Sequence, residues 1–228
     1  MAALPRNPDE SGDRIWQTER VTLALIEFSA AAALIVLLPG PDTLVVMRSL
    51  LRAGHRQARR TVWGVLTGLS IWATCAVLGL SALLQASHDG YTALRIAGAV
   101  YLCVLGIQAF RARGVTAEVD RDPSHARRRG LIGAGYLAGL TTDLLNPKVG
   151  VFFVTFLPAF VPHGEPIGRV TLLFGAIFVI ETGLYFVVLI RFANRLVAGM
   201  RKPRVRRALD RATGAVLVGF GLRLALES

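Results

Sequence analysis

Charged residues are scarce in this sequence: Asp, Glu, Lys and Arg make up only 18% of its 228 residues, well below the share in an average soluble domain. The sequence also has no phosphate-binding glycine loop, no nucleophile elbow and no His/Glu zinc motif. Bound ATP therefore has no recognisable site, and we expect a protein that is not an enzyme.

Cysteine is nearly absent, since Cys75 and Cys103 are the only two, and each lies within an apolar run without a Cys or His neighbour at ligand spacing. This pattern favours buried free thiols over a redox pair. The four histidines, at positions 55, 88, 125 and 163, fall in predicted connections and are poorly spaced for metal binding. We therefore predict no metal site and no cofactor.

Apolar residues, in contrast, are abundant: they make up 53% of the chain, and the mean hydropathy is +0.51. They form six runs separated by short, Arg-rich connections, a pattern that predicts an all-α membrane protein with six transmembrane helices. The runs cover residues 21–47 with an interruption at 39–42, then 61–86, 91–110, 130–161, 170–190 and 212–226.

The formal net charge is +11, and most basic residues lie in connections on one side of the predicted membrane. Nineteen of the 26 Lys and Arg residues lie in segments 48–60, 111–129 and 191–211, each of which follows an odd-numbered run. This is the positive-inside distribution, so the arginines indicate topology rather than a nucleic-acid partner. It places both termini outside the cytoplasm. Residues 1–20 lack the features of a signal peptide, and we expect a disordered N-terminal extension there.

Two proline breaks interrupt the first and fourth runs. The first contains Pro39, Gly40 and Pro41, and the second contains Pro147. In a bilayer, irregular backbone is tolerated only where protein buries it or where it lines a cavity, because unpaired backbone groups are costly in hydrocarbon. A pair of broken helices, one in each half of the chain, therefore predicts a transport site.

Ionisable side chains accompany both breaks, and they supply our predicted substrate-binding set: Asp42, Asp143, Asn146 and Lys148. Asp42 either caps a helix N-terminus or takes a proton or a substrate ammonium. Asn146 is placed to cap the helix that Pro147 opens. Lys148 needs a partner, which Asp42 or Asp143 can provide. Two interpretations stay open, a structural ion pair and a site for a substrate carboxylate.

Glu181 lies about 16 Å at helical rise from the start of the fifth run. A carboxyl group at that depth is our candidate for proton coupling; the alternative is a neutral Glu in a helix–helix hydrogen bond. Glu27 is close to the end of its span and can snorkel, so we leave it out of the site.

A weak internal repeat relates the two halves. Residues 95–100 and 211–216 share four identities in six positions, and the two breaks align as well. We predict a first three-helix repeat at 21–113, a cytoplasmic linker at 114–129 and a second repeat at 130–228. Because three spans is an odd number, the second repeat enters the membrane inverted relative to the first.

Small residues recur at four-residue spacing, at Gly64 and Gly68 and at Gly135 and Gly139. This spacing predicts close packing between helices of the bundle. The same pattern occurs at helix dimer interfaces, so a homodimer is the alternative.

Taken in order, these motifs resemble the lysine exporter (LysE) and homoserine/threonine efflux (RhtB) family of bacterial amino-acid exporters. The resemblance rests on residues 38–42 with the basic stretch 48–60, on 96–102, on 144–148 and on 152–158, and it covers about residues 21–226. It implies a multi-pass secondary exporter of the bacterial inner membrane, built from two inverted three-helix repeats and driven by the proton gradient. The matching family positions are Pro39 to Asp42 and Asn146 to Lys148.

We therefore expect export of an amino acid or close derivative by proton antiport, with membrane lipid and protons as the further partners. One alternative is a divalent-metal exporter, which needs several converging ligands where only Asp42 and Asp143 fit. Another is a transmembrane thiol oxidoreductase, which needs accessible thiols near the breaks.

Overall fold

The computed structural model describes residues 9–86, 88–111, 135–162, 164–193 and 203–226. Every regular element in these ranges is helical, which confirms the all-α prediction. The α-helices are α1 (Asp9–Leu37), α2 (Pro41–Ala86), α3 (His88–Arg111), α4 (Tyr136–Leu144), α5 (Pro147–Val151), α6 (Ile167–Arg191) and α7 (Pro203–Leu226). A π-helical segment, Phe152–Phe156, and a 3₁₀ segment, Leu157–Phe160, continue α5.

The first predicted break separates α1 from α2. The last turn of α1 closes with a hydrogen bond from the Leu38 amide to the Ile35 carbonyl, at 3.2 Å. Pro39 and Pro41 have no amide hydrogen, so neither can extend the helical ladder. Helix α2 begins at Pro41, because proline is well tolerated in the first turn of a helix.

The basic segment 48–60 differs from the sequence-based expectation of a connection between runs. Most of it is helical, but α2 is two helices that meet at a kink at Gly54, with φ of 76° and ψ of −176°, so the connection between the runs is reduced to this one residue. The segment contains Arg, Ala and Leu, which are strong helix formers, so nothing except the glycine ends the helix. Helix α1 begins at Asp9. Acidic residues at that end favour a helix N-terminus.

The second predicted break separates α4 from α5, and the helix axis bends by 53° there, between Tyr136–Leu144 and Pro147–Phe160. Asn146 accepts a hydrogen bond from the Lys148 amide and so caps α5, with Pro147 at the first helical position. The π-helical and 3₁₀ segments follow around Pro158, which cannot donate to the carbonyl four residues earlier.

Three helices of the described chain are long and apolar enough to cross a membrane, or four if the bent α4–α5 pair counts as one span. They are Glu19–Leu37, Pro41–Gly79 and Ile167–Arg191. The apolar part of α3, Ile96–Gln108, is shorter. The chain is thus a multi-pass membrane protein, whereas six spans are not confirmed. The predicted linker 114–129 lies outside the described residues.

The predicted glycine contacts occur within the bundle, where α2 packs closely on α4. A Cβ at Gly64 would collide with the Tyr136 carbonyl oxygen, and one at Gly139 would collide with the Thr61 carbonyl oxygen. Because each glycine meets backbone of the other helix, the small-residue spacing here serves the monomer. The other extensive helix contacts pair α2 with α6 and α3 with α7.

Aromatic rings fill the core around the second break. Phe28 of α1 stacks on Phe174 of α6, with ring centroids 4.3 Å apart. Phe152 lies 4.5 Å from Phe178 and 5.3 Å from Phe156 by the same measure. These contacts fix the α5 arm against α1 and α6.

Candidate functional site

The two breaks meet in space, and their side chains join them. Asn146, beside the second break, donates from Nδ2 to Oδ2 of Asp42 in the first turn of α2, at 2.6 Å. Its other amide atom, Oδ1, accepts from the Lys148 backbone amide at 3.1 Å. Asn146 is 2% exposed. One buried side chain therefore caps α5 and connects it to the start of α2.

Lys148 makes the second connection between the breaks. Its Nζ donates to the carbonyl oxygens of Ile35 and Leu38, at 3.2 Å each. The Ile35 carbonyl would be paired with the amide of residue 39 in a continuous helix, but that residue is proline and has no N–H. The lysine ammonium thus takes the place of a missing backbone donor at the C-terminal end of α1, where positive charge is stabilising.

This arrangement differs from the expected partner of Lys148. We expected Asp42 or Asp143 to pair with it, yet within the described residues neither carboxylate forms a salt bridge to the lysine. The Ile35 carbonyl lacks its usual i+4 amide because residue 39 is proline, although it also accepts from the Leu38 amide, and sequence spacing alone does not show that Lys148 reaches it. Asp42 and Asp143 nevertheless lie close enough to Lys148 to interact with its charge.

Asp143 lies behind the two breaks. Its side chain is fully buried against Gly68, where a Cβ would fall 2.9 Å from the Asp143 Cβ and Cγ atoms. Neither carboxyl oxygen has a hydrogen-bond partner. Burying a carboxylate without a hydrogen-bond partner costs free energy. The close α2–α4 crossing therefore holds the Asp143 side chain near Lys148 at a cost in stability.

A small cavity adjoins the joined breaks. Its volume is about 30 Å³, and the polar side chains of Asp42, Thr43, Lys148, Thr182 and Tyr185 line it, with Phe186 among the apolar lining residues. A cavity of this size holds about one water molecule. The cavity is therefore too small for an amino acid in this structure, so binding one requires the side chains or helices at the breaks to move.

Three hydroxyl groups of this cavity were not predicted from the sequence. The Thr43 hydroxyl lies 3.3 Å from the Tyr185 hydroxyl, and the buried Thr182 hydroxyl has no hydrogen-bond partner. The available signal was the spacing of Phe178, Thr182 and Tyr185, which places them on one face of α6. That face packs on the charged breaks, so its polar residues belong to the site.

Glu181 lies beside Thr182 in α6 but does not line the cavity. One of its carboxyl oxygens, Oε2, is buried without a hydrogen-bond partner. Glu27, which we left out of the site, pairs instead with Arg223 of α7 at 3.1 Å, and both side chains are about half exposed. Neither residue of this surface pair lines the cavity.

In the described part of the chain, the residues needed for a divalent-metal exporter or for a thiol oxidoreductase do not come together. No group of three or more His, Cys, Asp or Glu side chains comes together there to hold a metal ion. Cys75 and Cys103 are both free, and Cys75 is exposed rather than buried as expected. Neither cysteine lines the cavity.

Comparison with known proteins gives a family match over most of the chain. Residues 33–228 match the family model described as LysE type translocator. No solved structure matches.

Several curated bacterial proteins are similar along nearly their whole length. The uncharacterized membrane protein YrhP of Bacillus subtilis is 29% identical, covering 90% of this chain and 99% of that protein. The threonine efflux protein of Escherichia coli K12 is 29% identical, with coverage of 91% and 97% respectively. The homoserine/homoserine lactone efflux protein of Salmonella typhi is 28% identical, with coverage of 85% and 92%.

Proposed function

Because this chain belongs to the LysE type translocator family, and is thus a transporter rather than an enzyme, we propose that it exports amino acids or close derivatives across the bacterial inner membrane. Similar proteins named as threonine and homoserine efflux proteins support this substrate class. The observation that carries the proposal is the pair of connections between the breaks, Asn146 to Asp42 and Lys148 to the α1 carbonyls, beside a closed cavity.

The contacts that close the site are ones that an amino acid can replace. A substrate ammonium suits Asp42, whose Oδ1 has no hydrogen-bond partner. A substrate carboxylate suits the Lys148 ammonium, which now donates to carbonyl oxygens of α1. Once Lys148 turns to the substrate, the C-terminal carbonyls of α1 lose their cation. The helices at the two breaks are then released from each other, which is the step that opens the cavity.

Asp42 is better placed than Asp143 for the substrate ammonium. Asp42 lines the cavity, whereas Asp143 does not and is buried behind it. We assign Asp143 to a supporting position in which its charge state acts on Lys148. Asn146 holds Asp42 in place and caps α5 at the same time.

The cavity hydroxyls suit a substrate that itself carries a short hydroxyalkyl side chain. Thr182 offers a hydroxyl without a partner, and the Thr43–Tyr185 pair lies in the same cavity. A buried polar group that stays unpaired without substrate favours a ligand able to pair with it. Threonine and homoserine are therefore the first substrates to test.

We further propose six spans in two inverted repeats, with both termini outside the cytoplasm. Exchange of the halves relates α1 to the α4–α5 pair, α2 to α6, and α3 to α7. If the two halves are exchanged, the α2–α6 pair and the α3–α7 pair each become the same pair again, and the α2–α4 pair becomes the α1–α6 pair. All of these pairs are in contact in the structure. The helix packing supports a two-fold relation of this kind.

Proton antiport is the proposed energy source, with Glu181 as the coupling carboxyl. Its position next to Thr182 and its buried, unpartnered Oε2 support this role. Proton movement through Glu181 and substrate binding one residue away would then act on the same part of α6.

Membrane vesicles loaded with labelled threonine or homoserine test the export proposal. We expect efflux from vesicles that contain the wild-type protein and strongly reduced efflux with Asp42→Asn or Lys148→Met. Glu27→Gln is the matched control, since it removes a carboxylate of α1 outside the site. Wild-type efflux in the Lys148→Met variant would overturn the proposed site.

An imposed pH gradient tests coupling separately. Antiport predicts faster wild-type efflux when the receiving side is acidic, and Glu181→Gln should abolish this acceleration. Equal wild-type efflux with and without the gradient would refute antiport while leaving export intact.

A further inference from the structure

A large groove lies between α2 and α6, outside the closed site. Its volume is about 590 Å³. We define the α2–α6 groove by His55, Arg59, Trp63, Leu66, Val187 and Arg191, which line it. One end is basic and the remainder is apolar. Neither the Arg59 side chain nor the Arg191 side chain forms a hydrogen bond or salt bridge within the described part of the chain.

From this geometry we propose that the α2–α6 groove binds an anionic phospholipid. The phosphate lies at Arg59 and Arg191, and an acyl chain lies along Trp63, Leu66 and Val187. Basic pockets between transmembrane helices are suited to anionic headgroups, and tryptophan favours the boundary between headgroup and hydrocarbon. A soluble anion needs only the basic end, whereas a lipid satisfies both parts of the groove.

The dimensions of the groove fit one leaflet. From Arg59 to Leu66 the groove follows α2 for about 10 Å at helical rise, against a hydrocarbon half-thickness of about 15 Å. Val187 is 65% exposed and Trp63 is 65% exposed. In a membrane these surfaces must contact acyl chains, which places the basic end at the headgroup level.

A second cavity continues the basic end, which makes room for a headgroup. It has a volume of about 460 Å³ and shares His55, Ile190 and Arg191 with the groove. Its lining is more polar than that of the groove. Headgroup and acyl chain thus have separate spaces that meet at Arg191.

Bound lipid would also contact the wall of the transport site. Phe186 lines both the α2–α6 groove and the closed cavity. An acyl chain in the groove therefore packs against the side chain that separates the membrane from the site. Lipid composition is expected to affect how readily that cavity expands.

The test compares phosphatidylglycerol with phosphatidylcholine of identical acyl chains, bound to the full-length protein in detergent and counted by native mass spectrometry. We expect preferential retention of phosphatidylglycerol by the wild type. The double variant Arg59→Gln/Arg191→Gln should lose roughly tenfold or more in affinity for it. The control Arg52→Gln/Arg60→Gln removes the same charge from arginines that do not line the groove, and should keep the preference.

A fluorescence measurement locates the acyl chain. Phosphatidylglycerol with brominated chains should quench Trp63, and the Trp63→Phe variant should lose most of that quenching. The proposal fails if the wild type shows no headgroup preference, if the control variant loses it equally, or if inorganic phosphate competes for the site as well as the lipid does. It also fails if Trp63→Phe leaves quenching unchanged. None of these outcomes depends on which substrate is exported.

Discussion

Alanine at Gly64 is a sharp test of the close α2–α4 crossing. The added Cβ would lie 2.7 Å from the Leu140 amide nitrogen and 2.9 Å from the Tyr136 carbonyl carbon. Both are backbone atoms, so no side-chain rotation can relieve the contact. Bringing the 2.7 Å contact to the lower limit of ordinary contact, 3.4 Å, requires the two helices to separate by at least 0.7 Å.

Gly79 provides a matched control in the same helix, because a Cβ there meets nothing within 4 Å. Glycine to alanine in a helix interior is favourable by about 1 kcal/mol through backbone propensity. That gain is common to both variants and cancels in their difference. The remaining difference is the cost of overpacking, about 1 to 3 kcal/mol.

Thermal unfolding of both variants in detergent measures this difference. For a chain of this size we expect Gly64→Ala to melt about 2 to 12 °C below Gly79→Ala. The Gly64→Ala variant should also lose transport, because the same crossing holds Asp143 near Lys148. Equal melting temperatures for the two variants would show that α2 and α4 are not in backbone contact at Gly64.

Three further predictions follow from single side chains. Thr182→Val removes a buried hydroxyl that has no hydrogen-bond partner. The free energy of unfolding should therefore be equal or higher by about 1 kcal/mol, while efflux of threonine falls. A lower free energy of unfolding would indicate that the hydroxyl has a hydrogen-bond partner. Glu27→Gln breaks a half-exposed ion pair, so unfolding should change by less than about 1 kcal/mol, and a larger loss would contradict the surface assignment. Pro39→Ala supplies a backbone amide that can donate to the Ile35 carbonyl, to which Lys148 now donates. The variant should therefore stay folded but export less substrate. Unchanged efflux would argue against a role for the break in transport.

Much of the site could be predicted from the sequence because proline acts locally. Pro39, Pro41 and Pro147 remove amide donors wherever they occur, and Asn146 before a proline is a recognisable helix cap. The chain breaks and the capping contact follow from those properties. The glycine spacing was equally informative, since it required a close partner for α2.

The partners across the site could not be predicted in the same way. Lys148 was expected to meet a carboxylate, but the structure gives it two carbonyl oxygens of α1. That choice depends on how α1 and α5 pack, which the aromatic contacts around Phe28 and Phe152 determine. The cavity hydroxyls were missed for the same reason, because the packing of α6 decides which of its residues reach the site.

The basic segment shows a different limit. Its arginines indicate topology by composition, but composition does not distinguish a connecting loop from a helix. Residues 48–60 stay helical apart from Gly54, since nothing else in the segment stops a helix.

Equilibrium binding of labelled threonine and homoserine to the purified protein tests the central claim most directly, because it asks whether the joined breaks are the substrate site. Wild type and Glu27→Gln should bind at least one of the two with similar affinity. Asp42→Asn and Lys148→Met should each lose at least about tenfold, the loss of one charged hydrogen bond. Wild-type affinity in Lys148→Met, in a protein that unfolds at its normal temperature, would contradict the account.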